Sequence, residues 1–153
     1  MDMILWRHAE AALPREGQDD LQRPLTAKGE RQAQRMAEWL NQRLAHSTRI
    51  LVSPALRTQQ TAKALGKAFK TVQALQPDAS VEAVLKAARW PDGAEPVLIV
   101  GHQPTLGLVA ARLLTGEEQP WVMKKGAVWW LKSRDRESGT QIILQAVQSP
   151  DSL

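Results

Sequence analysis

The sequence predicts an α/β fold, a three-layer α/β/α sandwich with a mostly parallel central sheet. Ile4-Leu5-Trp6, Ile50-Leu51-Val52 and Val97-Leu98-Ile99-Val100 are short apolar runs with no polar residue to mark a solvent face. Strands buried on both sides read this way. Stretches with apolar residues at helical spacing separate them, and strand–helix alternation of this kind builds a parallel sheet between helical layers. A closing hairpin adds an antiparallel edge.

The elements follow in order. After the first strand, residues 11–24 carry two prolines, a glycine and several charges, a surface loop long enough to be functional. Thr26 is a helix N-cap, and the helix runs to about Leu44 with Ala33, Met36, Ala37, Leu40 and Leu44 on one face. The second strand meets Ser53-Pro54, serine as N-cap with proline at the first helical position. That helix turns Ala55, Thr58, Ala62, Leu65 and Phe69 inward and ends near Lys70. A short helix is expected over 80–89 on Val81, Val84, Leu85 and Ala88, then a turn at Pro91-Asp92-Gly93. The third strand enters Gly101-His102-Gln103-Pro104 and a helix to about Leu114. Late strands cover 128–131 and 142–147, with a polar turn from Arg134 to Gly139 between them. Trp129 and Trp130 then point to opposite sheet faces.

Composition sets the bounds. The 153 residues suit one domain, 1–153, with a sizeable core. No apolar stretch approaches the roughly 20 residues of a membrane span. Met1-Asp2 and four apolar residues before Arg7 do not make a signal peptide, so the cytoplasm is the expected compartment. Cysteine is absent, which excludes disulfides and thiolate metal sites. The net charge of +4 favours an anionic partner, but bases alternate with acids, as in Lys28-Gly29-Glu30-Arg31, and no nucleic acid is expected as partner.

All three buried strands end in chemistry. The first ends in Arg7-His8, the second in Ser53-Pro54 with Arg57 one turn on, and the third in Gly101-His102. Parallel strands place their carboxyl ends on one edge, where ligands bind. Two arginines, two histidines and two helix N-termini then surround a site suited to phosphate. Two histidines are too few for zinc, which takes three or four ligands, so a nucleophilic histidine is the better reading. The positive surroundings keep His8 neutral enough to attack.

These residues carry a resemblance. Arg7-His8 followed by Ala9-Glu10-Ala11 resembles the R-H-G motif of the histidine phosphatase superfamily. Residues 51–62, Leu-Val-Ser-Pro-Ala-Leu-Arg-Thr-Gln-Gln-Thr-Ala, are similar to its second motif, and Val100-Gly101-His102 to its third. The motifs keep the family's order and span nearly the whole chain. Small size, Arg23-Pro24-Leu25-Thr26 and Lys124-Lys125-Gly126-Ala127 resemble the SixA-type phosphohistidine phosphatase branch. The resemblance implies a phosphoglycerate mutase-like sandwich. It also implies a metal-independent phosphatase with a covalent phosphohistidine intermediate on His8, a phosphate pocket of Arg7, Arg57 and His102, and a further substrate contact from Arg23. No metal or organic cofactor is implied.

Ala9 replaces the motif glycine, so the turn after His8 must use ordinary φ. Larger members of the superfamily place a leaving-group acid after the second helix, where this chain has Asp78 and Glu82 and no convincing motif. Asp78 is the candidate proton donor, and the weakness of that candidate leans toward phosphoramidates, whose P–N bond is labile. Arg23 has a competing role, pairing with Asp19 or Asp20 in its own loop. Glu10 reads as rim polarity, and His46 as exposed beyond a helix end. The expected substrate is phosphohistidine on a protein. A small-molecule phosphomonoesterase or phosphoramidase, and a non-catalytic phosphate- or phosphopeptide-binding module, stand as alternatives, with a monomer the favoured state.

Overall fold

The computed structural model describes residues 1–153. Its six-stranded sheet has the order β3-β2-β4-β1-β5-β6. β1 (Asp2–Arg7), β2 (Arg49–Val52), β3 (Lys70–Thr71) and β4 (Val97–Gly101) are mutually parallel, whereas β5 (Val128–Arg136) and β6 (Gly139–Gln148) are antiparallel additions. α1 (Ala27–Asn41), α2 (Leu56–Lys63), α3 (Val81–Ala88) and α4 (Thr105–Thr115) complete the sandwich.

Alternation along β1 explains its unbroken apolar run. Met3 and Leu5 face one core with residues of α3 and α4, such as Val84 and Val109. Ile4 and Trp6 face the other with Met36 and Leu40 of α1 and Ala62 of α2. β2 and β4 divide in the same way, Leu51 and Ile99 against Val52 and Val100. Both faces are covered, so no polar residue marks either one. Trp129 and Trp130 do fall on opposite faces. No helix is long and apolar enough to cross a membrane.

Several boundaries differ from the sequence reading. α1 is capped by Thr26, whose hydroxyl accepts from Gly29 N–H, but it stops at Asn41, three residues short of Leu44. Leu44 still packs on the core, its N–H donating to the Leu40 carbonyl. α2 begins at Leu56 with Ala55 as N-cap, so Ser53 is not the cap. It ends at Lys63 and not near Lys70, because Gly66 adopts φ +67°, the left-handed conformation that stops helices. Lys70-Thr71 is instead a short edge strand on β2. The late strands are longer than expected and leave only Glu137-Ser138 as the turn. Their polar tips lie beyond the covered part of the sheet, where composition says loop but ladder pairing continues.

Candidate active site

Register delivers the site. Trp6 of β1 and Val52 of β2 both align with Val100 of β4, and Arg7 aligns with Gly101. The ladder continues one step further, His8 N–H to Gly101 O at 3.1 Å and Ser53 N–H to Val100 O at 3.1 Å. His8, Ser53 and His102 therefore emerge together at the carboxyl edge. The segment Lys124–Ala127 runs beside them. Gly126 N–H donates to His8 O, Arg7 N–H to Ala127 O, and the buried Trp6 indole N–H to Gly126 O.

His8 is 9% exposed, and its Nδ1 lies 2.7 Å from the Ala9 carbonyl. A carbonyl only accepts, so Nδ1 carries the proton and Nε2 is the free lone pair. Burial above all, with Arg57, Arg7 and Arg23 adding to it, pulls the ring down to about 4 against the Ala9 hydrogen bond. The ring is neutral at pH 7, and a neutral imidazole can attack phosphorus. Ala9 is fully buried and is not among the residues with positive φ, so the turn after His8 is ordinary. Its N–H donates to Thr61 Oγ1 of α2, tying that turn to the helix that bears Arg57. Gly29 is required nearby, since a Cβ there would lie 2.0 Å from the Glu10 carbonyl oxygen.

Arg57 sits in the first turn of α2 and is 4% exposed. It donates from Nη1 to the Asp20 carbonyl at 2.8 Å and from Nη2 to Asp20 Oδ2 at 3.1 Å. Arg23 donates from Nε to Asp20 Oδ1 at 2.9 Å and from Nη1 to the Ala12 carbonyl at 3.0 Å. One carboxylate thus yokes both arginines, and their hydrogen bonds hold Asp20 below the usual carboxylate range although partial burial opposes this. Arg23 both pairs within its loop and lines the site. Arg7 is anchored from Nη1 to the Met123 carbonyl at 2.7 Å.

His102 is 4% exposed, with its ring centroid 5.3 Å from that of His8. Its Nε2 lies 2.7 Å from Ser53 Oγ. Burial, then the proximity of His8 and Arg57, lowers it to about 3. Three buried nitrogens of this cluster have no hydrogen-bond partner in the protein, namely Arg7 Nε, Arg57 Nε and His102 Nδ1. Arginine Nε always carries a hydrogen and buried donors are ordinarily paired, so the two unpaired guanidinium N–H groups suit the oxygens of an anion.

Arg7, His8, Arg23, Arg57 and His102 share one pocket of about 230 Å3, completed by Ala11, Leu13, Pro77, Gln103 and Lys125. No carboxylate lines it. Asp78 follows Pro77 in sequence but is exposed and does not line the pocket, with φ +67°. Glu82 pairs with Arg112 on the surface, and Glu10 accepts from the Thr26 hydroxyl at 2.7 Å. No group of three or more His, Cys, Asp or Glu side chains is placed to hold a cation. A larger hollow of about 460 Å3 lies among Asp2, Trp39, Arg43 and Trp130, at the amino end of β1, away from every strand-end motif. Sequence reasoning named Asp20 as a partner of Arg23 but missed its bond to Arg57, and it missed Gln103 and the role of Ser53. The spacing Asp20-x-x-Arg23 is the one signal that pointed to Asp20.

The comparisons agree with this geometry. The sequence model of the histidine phosphatase superfamily (branch 1) matches residues 3–82. Phosphohistidine phosphatase SixA of Escherichia coli (strain K12) is 32% identical over 128 residues, 78% of each chain. An uncharacterized protein of Picosynechococcus sp. is 36% identical over 141 residues, covering 87% of this chain and 86% of its own. The solved structure of the protein histidine phosphatase SixA complexed with tungstate is similar over 99% of both chains, with a TM-score of 0.81 at 29% identity. With the three strand-end motifs on one sheet edge and relatives that span most of its length, this chain belongs to the histidine phosphatase superfamily, on its SixA-type branch.

Proposed function

We propose that the chain is a metal-independent phosphatase that carries the phosphoryl group on His8 and acts on phosphohistidine in a protein. The observation that carries the reading is the pair of buried arginine N–H donors without protein acceptors, Arg7 Nε and Arg57 Nε, gathered with the unpartnered His102 Nδ1 beside the neutral His8. Such donors stabilise the equatorial oxygens of a phosphoryl group in flight. Arg23, joined to Arg57 through Asp20, is a further contact to the substrate phosphate. The tungstate of the SixA structure is a tetrahedral oxyanion of the same kind.

The chemistry balances in two steps. His8 Nε2 attacks phosphorus and the P–N bond to the substrate imidazole breaks. The other substrate nitrogen can hold a proton from water, so the leaving group departs as neutral imidazole. Water then attacks the phosphoryl on His8, the new P–N bond breaks, and inorganic phosphate leaves with His8 restored. Neither departure needs a carboxylic acid, in keeping with a pocket whose ten lining residues include none. An ester substrate needs a donor for its alkoxide, and Asp78 is the nearest candidate in sequence to the lining residue Pro77. A pocket of about 230 Å3 at the sheet edge holds a phosphoryl group and leaves the rest of a larger substrate outside it.

The test compares a phosphohistidine protein with a panel of sugar and nucleotide phosphates in the presence of a chelator, using wild type and His8→Ala. Wild type is expected to dephosphorylate the protein and to yield a trappable phosphoenzyme, and His8→Ala to do neither. Wild-type rates from His8→Ala overturn the mechanism. Turnover of the small phosphates alone overturns the protein substrate.

A further inference from the structure

We propose that Ser53 is a positioning residue for the reaction, its hydroxyl holding His102 in the neutral tautomer that offers Nδ1–H to the phosphoryl group on His8. The proposal rests on the phosphatase reading above.

Ser53 directly follows β2 with no exposed surface, and its Oγ has two partners. It accepts from Ala55 N–H at 3.3 Å and lies 2.7 Å from His102 Nε2. The hydroxyl has one hydrogen to place. If it donates to Nε2, every polar atom of Ser53 is satisfied and the proton of the neutral ring must sit on Nδ1. If Nε2–H donates instead, Oγ accepts twice, its own hydrogen is buried without an acceptor, and Nδ1 becomes a lone pair. Only the first arrangement makes a donor of the nitrogen that has no partner in the protein. Nδ1 is the nitrogen with no partner in the protein, on a ring 5.3 Å from His8. A lone pair there would repel phosphoryl oxygens.

The charge state strengthens the point. His102, lowered to about 3 by burial first, is not an imidazolium at neutral pH. A neutral ring has one N–H, so the tautomer alone decides whether it binds or repels the anion. Ala55, the N-cap of α2, makes no side-chain bond there, and its N–H takes only a lone pair of Ser53 Oγ, so the hydroxyl hydrogen stays available to His102.

The experiment uses the full chain as wild type, Ser53→Ala, His102→Ala, the double variant and Ser53→Thr. 15N spectra of the histidine rings in the resting protein are expected to show wild-type His102 protonated on Nδ1 and Ser53→Ala as a mixture of tautomers. Ser53→Ala should lower kcat about 10- to 100-fold, as loss of an orienting partner does elsewhere, with KM little changed. The double variant should match His102→Ala, and Ser53→Thr should recover most of the rate. Thermal unfolding of each variant separates loss of fold from loss of tautomer. Wild-type His102 protonated on Nε2, a tautomer unchanged in Ser53→Ala, or losses that add in the double variant would each overturn the assignment. Because the rings are read without turnover, the expected tautomers in a protein lacking phosphatase activity overturn the preceding reading and not the link between Ser53 and His102.

Discussion

Arg57→Lys separates the fork of the guanidinium from its charge. Arginine has five N–H groups, and Asp20 engages one on Nη1 and one on Nη2, at 2.8 and 3.1 Å. Three remain, among them the buried Nε with no protein acceptor. A lysine ammonium has three donors in all, and keeping both contacts to Asp20 leaves one for phosphate. The substitution thus preserves the formal charge and removes two preorganised donors. Loss of one such donor costs about 10²- to 10³-fold in kcat. With the charge retained, a fall of about 100-fold in kcat/KM is expected, about 2.7 kcal/mol. Asp20 is more than half exposed, so its pairing adds at most about 1 kcal/mol to stability, and Tm should move by no more than about 4 °C. The assay is chelator-treated hydrolysis of phosphoramidate and of a phosphohistidine protein, alongside thermal unfolding. Activity within threefold of wild type in a folded variant would refute the reasoning and leave charge alone as the contribution of Arg57.

Other consequences are equally direct. Since His8 attacks as a neutral ring held at about 4, chiefly by burial, kcat/KM should fall on the acid side with a midpoint near 4, and a midpoint near 6.5 would contradict a nucleophile held neutral by burial. The same shifts set stability. The unfolded chain takes up protons near 6.5 while folded His8 and His102 stay neutral to about 4 and about 3, so stability complete above pH 6.5 declines as the pH falls toward about 3. Urea unfolding should show this decline, reduced in His8→Ala. Gly29→Ala would place a Cβ 2.0 Å from the Glu10 carbonyl oxygen, a contact with backbone two residues past the nucleophile. It should destabilise by about 1–3 kcal/mol in urea and lower turnover as well, and an unchanged urea midpoint would show that α1 moves freely away. Asp78→Asn should keep phosphoramidate hydrolysis within twofold of wild type, and a loss above tenfold would make Asp78 the proton donor.

The strand cores and the motifs at their ends were legible because each is local. A strand buried on both faces needs an unbroken apolar run, and Ile4–Trp6, Ile50–Val52 and Val97–Val100 have one. The helix around Ala33, Met36 and Leu40 was equally plain from its period, though not its last turn. β3 was hidden because Lys70 and Thr71 are both exposed, and only pairing with Leu51 and Val52 makes them a strand. Ser53-Pro54 read as a helix cap because that role is the commoner use of the pair. The hydroxyl went elsewhere because His102, far away in sequence, stands 2.7 Å from it.

By itself, then, the order of residues determined a parallel α/β sheet, the edge on which Arg7, His8, Arg57 and His102 gather, and the phosphate chemistry they suit. Such features follow from side-chain type and from periodicity along the chain. Tertiary structure alone decided which nitrogen of His8 is free, that Asp20 yokes Arg23 to Arg57, that no carboxylate lines the pocket, and what Ser53 holds. The physical reason is that hydrogen bonds are directional and short-ranged. Which donor meets which acceptor depends on register and loop path, and neither can be read from one stretch of sequence.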